Sequence, residues 1–173
     1  GEAGKIALYG IQFEFDKAIS QYKKAEGHAK GWVDPLYRQA VCFVKMGFTE
    51  HAISVMLQII EQDPHMFNRV LIDPELERGR NNILSALWEP WEETKAEAKK
   101  ASAQAEELAG KLGQWFAPEH EYMETAYIQS ERLLSLAKIN NFVAFRRLIV
   151  GVRAFARDFQ ERIDSETRVL EKR

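Results

Sequence analysis

Four histidines, one cysteine and a surplus of carboxylates are the residues of this chain that could carry catalysis or hold a metal. His28, His51, His65 and His120 are scattered, and only His120 and Glu124 fall one helical turn apart on a common face. Two ligands at that spacing could begin a zinc site, but tetrahedral coordination needs a third and a fourth, and no matching pair stands elsewhere in the sequence. No metal and no cofactor is therefore expected. A glycine-rich phosphate loop, a nucleophile elbow and paired cysteines are absent from the sequence, so no enzyme activity is expected either. Glu92, Glu93, Glu97, Glu106 and Glu107 lie beside lysines at three- or four-residue spacing, the pattern of a solvated helix face.

Two further groups could bind rather than react. Arg146, Arg153 and Arg157 recur on one side of a helical pattern with Arg147 close by, a basic stripe able to meet phosphate or an acidic peptide. The simpler expectation is that these arginines pair with the acidic neighbouring helices. The formal net charge of −2 disfavours nucleic acid as the partner. The second group is Trp88-Glu89-Pro90-Trp91, where exposed tryptophans would anchor a partner. The preferred reading is a buried hydrophobic joint, because large aromatics are mostly buried.

The elements that must position these residues announce themselves by a repeat. Ala18 and Ala52 stand 34 residues apart, each followed by isoleucine, and aligning them places Tyr22 on Met56, Ala25 on Ile59 and Tyr9 on Phe43. A fixed period of this length is the mark of stacked helical hairpins, since one hairpin alone cannot bury its apolar face. The pattern resembles a tetratricopeptide repeat, with a small residue near the start of the second helix, an aromatic or apolar residue four positions later, and a closing proline. The second copy fits best, from Asp34-Pro35 through Ala40, Phe43, Gly47, Ala52 and Met56 to Pro64; the first has Lys30 where the proline would stand.

Another step of 34 reaches Ala86, but Pro74 and Pro90 would then fall inside helices, at about 3 kcal/mol each. The sequence instead predicts a short helix from Pro64 to Ile72 and another from Pro74 to about Glu89. Each is opened by an aspartate before proline, and Asp34-Pro35 is expected to do the same. Beyond Pro90, Trp91, Ala98, Ala105 and Leu112 recur every seven residues, with Thr94, Ala101, Leu108 and Trp115 between them. That is a coiled-coil seam rich in alanine. A second long helix is expected from Pro118 to about Ile139, with Tyr122, Ala126, Leu133 and Ala137 on one face. After an Asn140-Asn141 turn, a third carries Phe142, Phe145, Ile149, Val152, Ala156, Phe159 and Ile163. The expected fold is all-α: a short repeat solenoid over 1–89, then a long antiparallel helical hairpin or three-helix bundle over 90–173.

Composition is consistent with this layout. The 173 residues, 46 % hydrophobic, can bury one ample core or two modest ones. The single cysteine, Cys42, cannot form an internal disulfide and is expected as a small buried residue. That fits a reducing, cytoplasmic setting. No apolar run is long enough to span a membrane, no secretory signal opens the chain, and Gly1-Glu2-Ala3 reads as a trimmed start.

The resemblance implies a noncatalytic scaffold that binds a peptide or a partner helix in a groove lined by the first helix of each repeat. Its groove positions fall on Ala7, Gly10 and Ile11 in the first copy, and on Tyr37, Arg38, Val41, Val44 and Lys45 in the second. Ala3, Gly4 and Ala7 cannot supply the lysines and asparagines with which one subgroup grips chaperone termini, so that partner is disfavoured. The alternatives are a structural or oligomerisation element pairing through its alanine seam, and nucleic-acid binding through Arg146, Arg147, Arg153 and Arg157.

Overall fold

A computed structural model describes residues 2–5, 9, 10, 13 and 33–172. The fold is all-α, and no strand occurs among the described residues. Helices α1 (Val33–Lys45), α2 (Thr49–Gln62) and α3 (His65–Ile72) lead into a 3-10 segment, Pro74–Gly79. Three longer helices follow: α4 (Arg80–Trp115), α5 (Glu121–Ala137) and α6 (Phe142–Glu171). The expectations placed on Ala7, Ile11, Ala18, Tyr22, Ala25 and His28 lie outside the described residues. Two compact units are present, Gly1–Thr94 with Asn140–Val143, and Lys95–Ile139 with Ala144–Arg173.

In the first unit, α1 buries Val33, Tyr37, Ala40, Val41 and Val44, a row at three- and four-residue spacing. It packs on α2, which buries Ala52, Met56, Ile59 and Ile60. Ala52 has no exposed surface, and a methyl side chain there lets the two helices approach closely. Between them the chain turns at Gly47, whose φ of 90° is a conformation that other residues adopt at a cost. The Phe48 amide donates to the Phe43 carbonyl at 2.8 Å and the Gly47 amide to that of Val44 at 3.0 Å. This paired closure satisfies the last carbonyls of α1.

The aspartate-proline reading holds at two of three places. The Asp63 carboxylate accepts the His65 amide at 3.1 Å, and that of Asp73 accepts the Glu75 amide at 2.9 Å. At the third, α1 already begins at Val33, and Asp34 instead accepts from Arg69 at 2.6 Å. A larger correction concerns Pro90, which lies inside α4 and does not end a helix. Proline there forfeits one backbone hydrogen bond, and neighbouring burial offsets the loss. Leu87 and Trp91 are almost fully covered, and Trp91 stacks on Phe67 at 5.9 Å. Phe67 in turn stacks on Phe142 at 4.2 Å. The segment from Pro74 is a 3-10 turn, and the long helix starts at Arg80.

In the second unit, Ala98, Ala101, Ala105 and Leu112 are buried as the heptad pattern predicts, while Lys99, Lys100 and Glu106 face solvent. Trp115 departs from the pattern: it is 57 % exposed, and Phe116 is buried in its place. A straight helix drifts by about 20° per heptad against a seven-residue repeat, so the inward position has moved on by one residue at the end of α4. α5 and α6 run antiparallel. Arg162 reaches Glu121 at one end, and Leu133 closes on Gly151 farther along. Phe116 sits edge-on to Tyr122 and Phe159, and the α6 stripe Phe145, Ile149, Val152 and Phe159 is buried.

Candidate functional site

The five groove positions of the second repeat divide by burial. Tyr37, Val41 and Val44 lie in the core with 0 %, 3 % and 0 % exposure, so none of them can face a partner. The expectation of an open aromatic and aliphatic groove is corrected accordingly. What covers the surface is the segment from α3 to the 3-10 turn, because this short stretch returns across α1 before the long helix starts. The Tyr37 hydroxyl donates to the Asp73 carboxylate, while Arg69 lies over the Tyr37 ring at 4.3 Å. Burial first, and then the Asp73 carboxylate, push the Tyr37 phenol far above its ordinary range.

Arg38 and Lys45 remain in solvent on the same side of α1. Both donate at 2.8 Å to the two oxygens of one carboxylate, Glu75. Those hydrogen bonds, that of Lys45 first and that of Arg38 second, hold the Glu75 carboxyl below its usual range, and the Glu75 partnership raises the Lys45 ammonium. Cys42 stands between the two cations in sequence and is exposed, not buried as expected. Residues 38, 42 and 45 share one exposed helical face that flanks the buried row. Beside α1, Leu36 joins Gln58, Ile59, Glu61 and Gln62 in lining a shallow cleft of about 290 Å³.

Sequence reasoning passed over the side chains that fasten this layer down. Arg80 donates to the carbonyls of Val70, Leu71 and Asp73 at 3.1, 2.8 and 2.6 Å, closing the end of α3. Arg78 donates to the Lys45 carbonyl at 2.7 Å and does the same for α1. Terminal carbonyls have no partner within their own helix, so a guanidinium with several donors is well suited to both places. The sequence carried no signal for these contacts, since which carbonyls the arginines reach depends on the tertiary fold, and Arg78 stands 33 residues from Lys45.

The arginines of the last helix are placed differently from the simpler expectation. Arg147, Arg153 and Arg157 are exposed and make no ion pair among the described residues, while Arg146 is half-buried and has a partner. Val150, 62 % exposed, lies among them. Farther along α6 the surface becomes acidic through Asp158, Glu161 and Asp164.

His120 and Glu124 do not come together as ligands. The His120 Nδ1 accepts the Tyr122 amide at 3.0 Å and so caps α5, and its Nε2 lies 2.8 Å from Glu166. No group of three metal-ligating side chains occurs among the described residues. Near this cap, Glu121, Tyr122, Thr125 and Gln129 face Asp158, Glu161, Arg162 and Ser165 across a polar cleft of about 580 Å³. Arg162 covers the Tyr122 ring at 5.2 Å, and the buried Tyr122 hydroxyl has no hydrogen-bond partner among the described residues. Burial and, after it, the charge of Asp158 raise its phenol.

Trp91 is fully buried in the first unit and Trp88 is half-buried, so Trp91 is not an exposed anchor. No helix among the described residues is long and apolar enough to cross a membrane. Comparison with known proteins returns no match: no family model, curated protein or solved structure aligns significantly with this chain.

Proposed function

We propose that this chain is a noncatalytic protein-interaction scaffold, a helical-hairpin module of the tetratricopeptide kind that binds an extended acidic peptide on the solvent side of α1. The observation that carries this reading is the Arg38–Glu75–Lys45 bridge. Two exposed cations, two turns apart on one helix, are held in fixed positions by a single carboxylate. An incoming acidic side chain can take the place of Glu75 at either cation without a new cavity having to open. Preorganised cations on a rigid helix lose little conformational freedom on binding, which favours recognition over an equally charged mobile loop. Beneath them, Tyr37 and Val44 serve the reading indirectly, by fixing the helix that presents the charges.

The test is affinity capture with the chain and with an Arg38→Glu/Lys45→Glu variant. Both substitutions lie at exposed positions, so the variant keeps its helical signal. Proteins with acidic segments are expected on the parent chain and not on the variant. Equal recovery on both would refute this surface.

A further inference from the structure

We propose that the basic face of α6 is a second, separate docking surface, and that its occupant is an acidic amphipathic helix of another protein. Arg147, Arg153 and Arg157 would grip its carboxylates, with Val150 meeting an apolar residue at the centre.

Four observations point to this occupant. The three guanidinium groups are exposed and make no ion pair among the described residues, whereas Arg38, Arg69, Arg80 and Arg162 each hold a carboxylate. Arginine side chains left in water on a helix that has acidic neighbours are available to an outside carboxylate, and the planar fork of each matches it with two parallel hydrogen bonds. Their spacing is helical: Arg147 precedes Val150 by three residues, Arg153 follows it by three and Arg157 by seven, so all four share one side of α6. At 1.5 Å per residue the arginines span about 15 Å, close to three turns of a partner helix carrying glutamates one turn apart.

Val150 separates a protein partner from a nucleic acid. At 62 % exposure it is an apolar centre ringed by charge, the arrangement of a protein interface with a dry middle and a polar rim. A phosphate backbone has nothing to offer a valine. Moreover, Asp158, Glu161 and Asp164 continue along α6 after the last of these arginines. A duplex carries one charge per roughly 1.7 Å of its length and would be repelled there. A short acidic helix ends before that boundary, and the boundary fixes its position along α6. This surface is independent of the α1 reading and stands or falls without it.

The experiment is a fluorescence-anisotropy titration of the whole chain with a labelled helical peptide that carries glutamates one turn apart on both sides of a central leucine. A duplex DNA of matching length is titrated in parallel. Saturable binding of the peptide is expected, weakening as salt is raised. The Arg153→Glu/Arg157→Glu variant is expected to lose roughly tenfold or more in affinity. Val150→Asp should lose a comparable amount and Val150→Leu should retain binding. Arg38→Glu/Lys45→Glu should leave this titration unchanged, which separates it from the α1 surface. All these positions are exposed, and circular dichroism checks that each variant is folded. The proposal is overturned by absence of peptide binding, by DNA binding as tight as that of the peptide, or by peptide binding indifferent to Val150→Asp. A concentration-dependent dimer that disappears in Arg153→Glu/Arg157→Glu would overturn it too, by making a second copy the occupant.

Discussion

The Tyr37 hydroxyl donates to the Asp73 carboxylate across 36 residues of sequence, and this bond ties the first helix of the hairpin to the segment that covers it. Asp73 serves twice, since its other carboxylate oxygen accepts the Glu75 amide and starts the 3-10 turn. Glu75 then reaches back to Arg38 and Lys45. One short segment thus both covers the buried row of α1 and holds the charges on the exposed face that flanks it.

Removing the hydroxyl should loosen that layer. Tyr37→Phe keeps the ring beneath Arg69 and leaves one Asp73 oxygen without its donor, at an expected cost of about 1–2 kcal/mol. Urea denaturation measures it. An unchanged midpoint would mean that the bond contributes nothing to the fold.

Two glycines give opposite expectations. A Cβ added at Gly79 would lie 2.8 Å from the Thr49 Cγ2 and 3.2 Å from the Val44 Cγ1, both on short, branched side chains with little room to retreat. Gly79→Ala is expected to destabilise by about 1–3 kcal/mol. Nothing lies within 4 Å of such an atom at Gly110, which sits inside α4. Gly110→Ala should therefore stabilise by about 0.5–1 kcal/mol through helix propensity alone. Thermal melts of the two variants should move in opposite directions.

Acid should act on the bridge. The Glu75 carboxyl is depressed in the folded chain, so its contribution is present above the ordinary glutamate range and is lost as pH falls through the lower, folded value. Glu75→Gln should remove that part of the acid dependence and leave the rest. Melting temperatures of both proteins from neutral to strongly acidic pH would show it. Curves that stay parallel throughout would exclude the contribution.

Alkali should act on the phenols. Tyr37 and Tyr122 are both raised, so their contribution is complete below the ordinary tyrosine range and is lost as pH rises beyond it. In an ultraviolet titration these two of the five tyrosines should ionise late, and Tyr37→Phe/Tyr122→Phe should abolish the late phase. A single phase for all tyrosines in the parent chain would contradict the burial of both rings.

Much of the fold was legible because helical periodicity records burial directly. The inward rows of α2, α5 and α6 could be read from three- and four-residue spacing, and Ala52 from its size. Pro90 misled because the cost of proline is local, while the packing of Trp91 on Phe67 that offsets it joins residues distant in sequence. Cys42 misled because residue type suggested burial although its place on the helix, in line with Arg38 and Lys45, pointed to water. The covering of Tyr37 and Val41 was hidden for a related reason. It depends on Asp73 meeting the Tyr37 hydroxyl and on Arg78 reaching the Lys45 carbonyl, partners that lie far from them along the chain. The unpaired state of Arg147, Arg153 and Arg157 was equally hidden, since charge spacing does not say where the neighbouring carboxylates point.

The central claim, that α1 presents a partner-binding face, can be measured through its own cysteine. Cys42 is the one thiol of the chain, it is exposed, and it shares a helical face with Arg38 and Lys45. The rate of its alkylation by a maleimide is to be followed as an extended acidic peptide is added, in the parent chain and in Arg38→Glu/Lys45→Glu. The expected result is a saturable slowing in the parent chain and none in the variant. A rate unaffected by saturating peptide in the parent chain would contradict the account.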